Sequence, residues 1–136
     1  MRHLLIAAAL GLLASAAGAQ TVDVGRADWK ALPPLRVSNE ALPMSRLVDR
    51  IEEMLRTREC RLPGQSDRRF DITVPYAVHL NPDGTTDHVV VAEMGCPPLE
   101  TMVGRLVIER SKLGYLVPSG ESRPRWYGDE LSFVLQ

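Results

Sequence analysis

Two stretches of the chain repeat apolar residues at the spacing of an amphipathic helix. In the first, the repeat follows i, i+3, i+4 and i+7, with charged residues on the opposite face. Its apolar positions are Met44, Leu47, Val48, Ile51, Met54 and Leu55. The second repeat follows Pro97 and ends before Gly114, which suits the cap position after a helix. Its apolar positions are Leu99, Met102, Val103, Leu106, Val107 and Leu113. We expect Gly104, inside this second helix, to mark close packing on a sheet.

Three stretches are predicted to be strands, residues 71–80, 85–93 and 131–135. The first and the third alternate apolar and polar residues, as half-buried strands do. In the second, three consecutive valines leave the register ambiguous and would tolerate a bulge. Between the first two, Asn81, Pro82, Asp83 and Gly84 match the four positions of a type I turn, which predicts a tight hairpin. Residues 115–128 are rich in Pro, Gly and Arg and are predicted to form a loop.

The order of these elements, α-β-β-α-β, predicts an α+β fold. We expect a small three-stranded antiparallel sheet with both helices on one face, formed by residues 44–136. Residues 20–43 have no periodicity and contain Pro33 and Pro34, so they are predicted to be an extended leader that can lie along the domain.

The first nineteen residues have the pattern of a cleaved secretory signal. Arg2 and His3 precede an apolar run, and Ala17 and Ala19 form an A-x-A site before Gln20. The alternative is an uncleaved segment that anchors the protein in the inner membrane. The run is shorter than the roughly 20 apolar residues that span a bilayer, which favours cleavage of residues 1–19.

The composition suits a single globular domain and excludes a basic nucleic-acid-binding surface. The chain has 136 residues, of which 45% are hydrophobic and 24% are charged. Sixteen Lys and Arg oppose seventeen Asp and Glu, so no positive field is available for phosphates.

Cys60 and Cys96 are predicted to form a disulfide, because export would bring the protein into an oxidising compartment. One alternative is a reactive Cys96 thiolate at the start of the second helix. Metal ligation is a weaker alternative, since two cysteines do not complete a zinc site.

Candidate chemistry is confined to the hairpin. A one-residue bulge at Gly84 would place His79 opposite Asp87 and, with His88, would suggest a metal-binding, pH-sensing or catalytic cluster. The simpler interpretation is a solvated cross-strand pair, because the chain has no nucleophile elbow, phosphate-binding loop, H-E-x-x-H motif or calcium loop. We therefore predict no enzymatic activity, no metal and no cofactor.

Residues 123–128 concentrate arginine and aromatic side chains, the types that are common in binding hot spots. Arg125, Trp126 and Tyr127 are therefore candidate partner-binding residues. The alternative is that the aromatic side chains fill a seam of the core beside a strand.

The segment V-P-Y-A-V-H-L-N-P-D-G-T-T-D-H-V-V-V, from Val74 to Val91, resembles the hairpin of the carboxy-terminal domain of TonB energy transducers. The resemblance continues through Gly95, the second helix, a G-x-P-like loop at residues 120–124 and a final L-S-F-V-L strand. It covers residues 71–136, about half of the chain. The chain differs from the family in its cysteine pair, its longer first helix and its lack of a long proline-rich spacer.

The resemblance implies a periplasmic domain whose last strand is an exposed edge that pairs with a peptide from an outer-membrane transporter. By resemblance that edge is Leu131, Ser132, Phe133, Val134 and Leu135. The resulting hypothesis is a soluble periplasmic protein-interaction domain that acts by strand addition, with outer-membrane transport as the associated process. The alternative is a structural or accessory subunit of an envelope complex that oligomerises through the same edge. The expected partner is a protein segment such as that of an outer-membrane receptor, with no nucleic acid and no small-molecule cofactor.

Overall fold

The computed structural model describes residues 21–38 and 44–136, so the predicted signal lies outside the described residues, as do both ends of the predicted leader. The helices are α1, Ser45–Arg56, and α2, Pro97–Lys112, with one 3₁₀ turn at Trp29–Ala31. The strands are β1 (Thr21–Gly25), β2 (Arg36–Val37), β3 (Phe70–Leu80), β4 (Thr86–Ala92), β5 (Leu116–Val117) and β6 (Arg125–Leu135).

The main sheet has the strand order β1-β4-β3-β6. Strands β4, β3 and β6 are the antiparallel set that the sequence predicts, and the α+β class is confirmed. The prediction of three strands is wrong, because β1 adds a fourth strand that runs parallel to β4. A separate two-stranded ribbon joins β2 to β5.

Both helices cover the same face of the sheet, as the sequence predicts. Apolar side chains of β3 and β4 alternate onto this face and join α1 and α2 in one core. Its largest fully buried side chains are Tyr76, Phe133, Ile51, Met54, Leu80, Leu99, Leu135, Val74, Val78, Val89, Val91 and Val103. We call the opposite face of the sheet the outer face.

A disulfide between Cys60 and Cys96 joins the segment after α1 to the residue that precedes α2, which confirms the predicted pair. Among the described residues no free cysteine remains. Within the same residues, none of the helices is long and apolar enough to cross a membrane.

Residues 21–37 of the leader lie along the domain and include two strands, β1 and β2, that the sequence does not predict. After β1 the leader crosses the outer face, where the 3₁₀ turn contacts β3 and β6. It then reaches the far edge of the sheet at Pro34, which bridges Gly128, and enters β2. The sequence does not predict these two strands because β1 and β2 are only five and two residues long, too short for a reliable period.

The hairpin contains two irregularities. Gly84 has φ of 85° and donates its N–H to the Asn81 carbonyl, which completes the predicted type I turn. A second irregularity makes Asp87 an extra residue, so that His79 pairs with His88 and Leu80 with Thr86. The expectation that His79 lies directly opposite Asp87 is therefore wrong. The extra residue turns Val89 and Val91 to the core and His88 to the outer face.

Residues 115–128 are not one loop, which is a second correction. Strand β5 lies within them, and β6 begins at Arg125, six residues before the predicted last strand. β6 pairs with β3 without interruption from Arg125 to Leu135. Tyr127 is buried and extends the apolar alternation toward the start of β6, which Gly128 and Asp129 conceal in the sequence.

Candidate functional site

Strand β6 forms one edge of the sheet, and its side chains alternate sharply between the core and the solvent. Leu131, Phe133 and Leu135 point into the core, and the most accessible of them is 7% exposed. Glu130, Ser132 and Val134 are exposed on the outer face. Of the five edge residues named from the sequence, three therefore support the core, and only Ser132 and Val134 present side chains to a partner.

The backbone N–H and C=O groups of β6 point alternately toward β3 and away from it. The hydrogen bonds of Gly128 show which residues point away. Its N–H donates to the Pro33 carbonyl at 2.9 Å, and its carbonyl accepts the Leu35 N–H at 2.9 Å, so both groups point away from β3. The pairing with β3 has no register shift. The outward backbone groups beyond Gly128 consequently belong to Glu130, Ser132 and Val134. Within residues 21–38 and 44–136, no second strand pairs with this part of the edge.

The outer face beside this edge is small and partly polar. The Thr73 hydroxyl lies 3.0 Å from the Ser132 hydroxyl, which joins β3 to β6 across the face. Val134 is 42% exposed, and among the described residues it belongs with Val24 and Leu113 to the large apolar side chains that face solvent. An added strand would therefore meet the Glu130 carboxylate, the Ser132 hydroxyl and the apolar Val134 side chain in turn on this face.

Gly128 is where the leader meets the edge. A Cβ at this position would lie 2.9 Å from the Trp29 carbonyl oxygen and 3.1 Å from the Leu32 Cβ. Gly128 is not among the residues with positive φ, so it is the leader and not the local backbone that requires glycine here. A glycine within a strand would indicate a close backbone approach, but the sequence predicts a loop at Gly128.

Arg125, Trp126 and Tyr127 do not form one surface. Arg125 pairs with Glu121, and the Trp126 ring reaches His79 and His88 on the outer face. Tyr127 is buried, as the alternative interpretation of the aromatic residues expects. Hydrogen bonds from Ser119 lower the pKa of the Tyr127 hydroxyl.

The hairpin carries a second polar group of residues on the outer face. His79 Nδ1 lies 3.6 Å from Asp87 Oδ1, and His88 Nε2 lies 2.5 Å from Asp23 Oδ2 in β1. Both imidazole rings have centroids 5.1 Å from that of Trp126. The Asp23 contact ties the leader to β4. In the described part of the chain, no three His, Cys, Asp or Glu side chains converge as a metal site would require.

A partly buried polar pair lies on the core side of the same edge. The Tyr76 hydroxyl donates to Asp129 Oδ2 at 3.1 Å, which joins β3 to β6 between Tyr127 and Leu131. Burial raises the pKa of Tyr76, and the neighbouring Asp129 carboxylate raises it further. This pair holds the β6 backbone in place at Asp129, one residue before the candidate edge at residues 130–134.

A cleft of about 1030 Å³ begins where β6 ends. Leu135 and Gln136 line it together with α1 and the segment that precedes β3. The Gln136 N–H donates to Glu52 Oε1 at 2.9 Å, which fixes the end of β6 against α1. The charges in the cleft are mixed, since Asp49, Glu52 and Asp67 face Arg58 and Arg61.

No family model, no curated protein and no solved structure matches this chain. The candidate site is described by its own geometry. It consists of the outward backbone groups of residues 130–134, the exposed side chains beside them and the leader residues 33–35 that pair with Gly128.

Proposed function

We propose that this protein is an interaction domain that binds an extended segment of another protein by strand addition to β6. The observation that carries the proposal is that, among the described residues, no strand pairs with the edge at residues 130–134, while the neighbouring edge residue Gly128 already accepts an extended segment of the leader. The leader contact supports the idea that extended backbone can be received on this side of β6. Unpaired N–H and C=O groups supply affinity in such complexes, and flanking side chains supply selection.

The proposed setting is the periplasm. The signal-like sequence at residues 1–19 and the Cys60–Cys96 disulfide support export to an oxidising compartment. The resemblance to TonB carboxy-terminal domains supports an outer-membrane transporter as the source of the bound segment. No catalytic step is part of this proposal.

The experiment uses peptides selected from a displayed random library against the protein purified with its disulfide intact. Selected peptides are synthesised, and their affinities are measured by calorimetry for the wild type and two variants. In Ser132→Pro the outward N–H is removed while the bonds to β3 are retained, because those belong to Leu131 and Phe133. We expect Ser132→Pro to weaken binding by about tenfold or more.

Ser132→Ala is the matched control, because it removes the hydroxyl contact with Thr73 and keeps the backbone N–H. We expect its affinity to stay within about twofold of wild type, since an exposed hydroxyl pair contributes little. Equal binding by wild type and Ser132→Pro would overturn strand addition at this edge. A substitution of Phe133 is unsuitable, since its side chain is buried and its backbone pairs with β3.

A second copy of the chain is the alternative occupant of the same edge. Light scattering of the purified protein separates the two cases. A monomer at the concentrations used for calorimetry supports a foreign segment. A dimer that Ser132→Pro converts to a monomer would replace the proposal with self-association.

A further inference from the structure

The leader occupies one position of the edge to which the proposed ligand binds. Residues 33–35 run parallel to β6 and make both of their ladder bonds with Gly128. The next residues, Arg36 and Val37, turn away to pair with Val117 and Leu116 of β5. The leader therefore pairs with the edge at Gly128 and turns away from the edge before Glu130.

We propose that residues 33–35 are a built-in competitor for the β6 edge. The inference rests on the proposed function and concerns its regulation. A peptide that pairs only with residues 130–134 binds beside the leader. A longer peptide that continues to Gly128 must displace residues 33–35.

The backbone part of this contact is replaceable. It consists of two hydrogen bonds, and another extended segment offers the same donor and acceptor groups to Gly128. Leu35 also packs its side chain into the core, where 8% of it is exposed, so a competing segment must displace that packing as well. The leader is also held on both sides of this contact. The contact of Asp23 with His88 and the pairing of β1 with β4 hold it before, and β2 holds it after. Displacement of residues 33–35 therefore does not require β1 to leave the sheet.

The competition depends on the missing side chain of Gly128. Because a Cβ there would meet the Trp29 carbonyl and Leu32, the Gly128→Val substitution forces the leader off the edge. The valine side chain would lie on the outer face and not between β6 and an incoming strand, so the edge itself stays available. Asp71→Val is the matched control. It places the same side chain on the outer face of β3, at a position paired with Val134 and remote from the leader contact.

The first readout is hydrogen exchange at the Leu35 N–H, which the Gly128 carbonyl accepts in the wild type. We expect Gly128→Val to remove the protection of this amide and Asp71→Val to leave it unchanged. Retained protection in a folded Gly128→Val variant would contradict the steric role of Gly128 and overturn the inference.

The second readout is the affinity of two synthetic forms of one library-selected peptide. A form of about five residues spans the outward groups of residues 130–134, and a form of about seven residues also reaches Gly128. We expect Gly128→Val to strengthen binding of the long form by about tenfold or more, since two hydrogen bonds and the packing of Leu35 need no longer be displaced, and to leave the short form unchanged. Equal effects on both forms would overturn the competition.

The wild type provides an independent test that needs no substitution. Saturation with the long form is expected to accelerate exchange of the Leu35 amide, whereas saturation with the short form is not. Undiminished protection in the presence of the long form would overturn the inference while leaving strand addition intact. Absence of binding by both forms to every variant would instead reject the proposed function, and the competition with it.

Discussion

Gly104 of α2 lies directly against Val22 of β1. A Cβ at position 104 would overlap the Val22 Cγ1 methyl group and lie 3.2 Å from the Val22 Cβ. The expectation of close packing at this glycine is thus confirmed. Its partner is the strand that the sequence did not predict.

We expect Gly104→Ala to destabilise the protein by about 1–2 kcal/mol, even though alanine favours a helix by about 1 kcal/mol over glycine. The cost arises because α2 and β1 must separate. Urea denaturation measures the change. Val22→Ala added to Gly104→Ala should recover part of the loss, and a purely additive double variant would show that the two residues do not interact.

The disulfide closes a loop between positions 36 residues apart. On the chain-entropy account, replacing both Cys60 and Cys96 by serine lowers the free energy of unfolding by about 4 kcal/mol. Denaturation of the double variant and of the wild type under identical conditions measures this loss. A difference below about 1 kcal/mol would show that the reduced chain is already restricted in this region.

The Tyr76–Asp129 pair predicts that the protein loses folding stability as the pH rises into the alkaline range. Because burial raises the pKa of Tyr76 above its ordinary value of 10.0, the folded state holds this proton more tightly than the unfolded state. The resulting stabilisation is complete below pH 10.0 and is lost as the pH rises above it. We expect Tyr76→Phe to be less stable at pH 7 by about 1–3 kcal/mol and to lose less stability on further alkalinisation.

Tyr127→Phe is the control for this measurement. Hydrogen bonds from Ser119 lower the pKa of Tyr127, so this residue contributes to the alkaline profile with the opposite sign. Denaturation midpoints of the variants between pH 7 and pH 11 provide the comparison. An unchanged alkaline slope in Tyr76→Phe would contradict the assignment.

Thr86 stabilises the bulge that turns the hairpin histidines to the outer face. Its hydroxyl donates to the His79 carbonyl at 2.6 Å and accepts the His88 N–H at 3.3 Å, and the residue is 4% exposed. We expect Thr86→Val to cost about 1–3 kcal/mol, because the shape is kept while buried backbone groups lose a partner. Thr85→Val is the exposed comparison in the same turn, and an equal loss in both variants would argue against a role specific to the bulge.

The sequence predicts those parts of the fold whose signals are local. The period of residues 44–55 predicts α1, and Pro97 and Gly114 delimit α2. The type I turn at residues 81–84 depends on the backbone preferences of Pro82 and Gly84, which hold in almost any context. The disulfide was predictable because two cysteines can pair in only one way.

Long-range relationships account for what the sequence does not predict. β1 is identified as a strand by its pairing with β4, because its five residues are too few for their alternation to predict a strand. The register at His79 depends on one extra residue, Asp87, which the valine run of β4 permits but does not specify. The candidate site also depends on a long-range contact. The role of Gly128 at the edge cannot be predicted until the leader is placed against it.

Hydrogen exchange of the β6 amides, resolved by NMR, tests the unpaired edge most directly. The account predicts rapid exchange at Glu130, Ser132 and Val134, slow exchange at Leu131 and Phe133, and slow exchange at Gly128, which donates to Pro33. Equally slow exchange at Ser132, Val134, Leu131 and Phe133 would mean that the edge is already covered, and would contradict strand addition to β6.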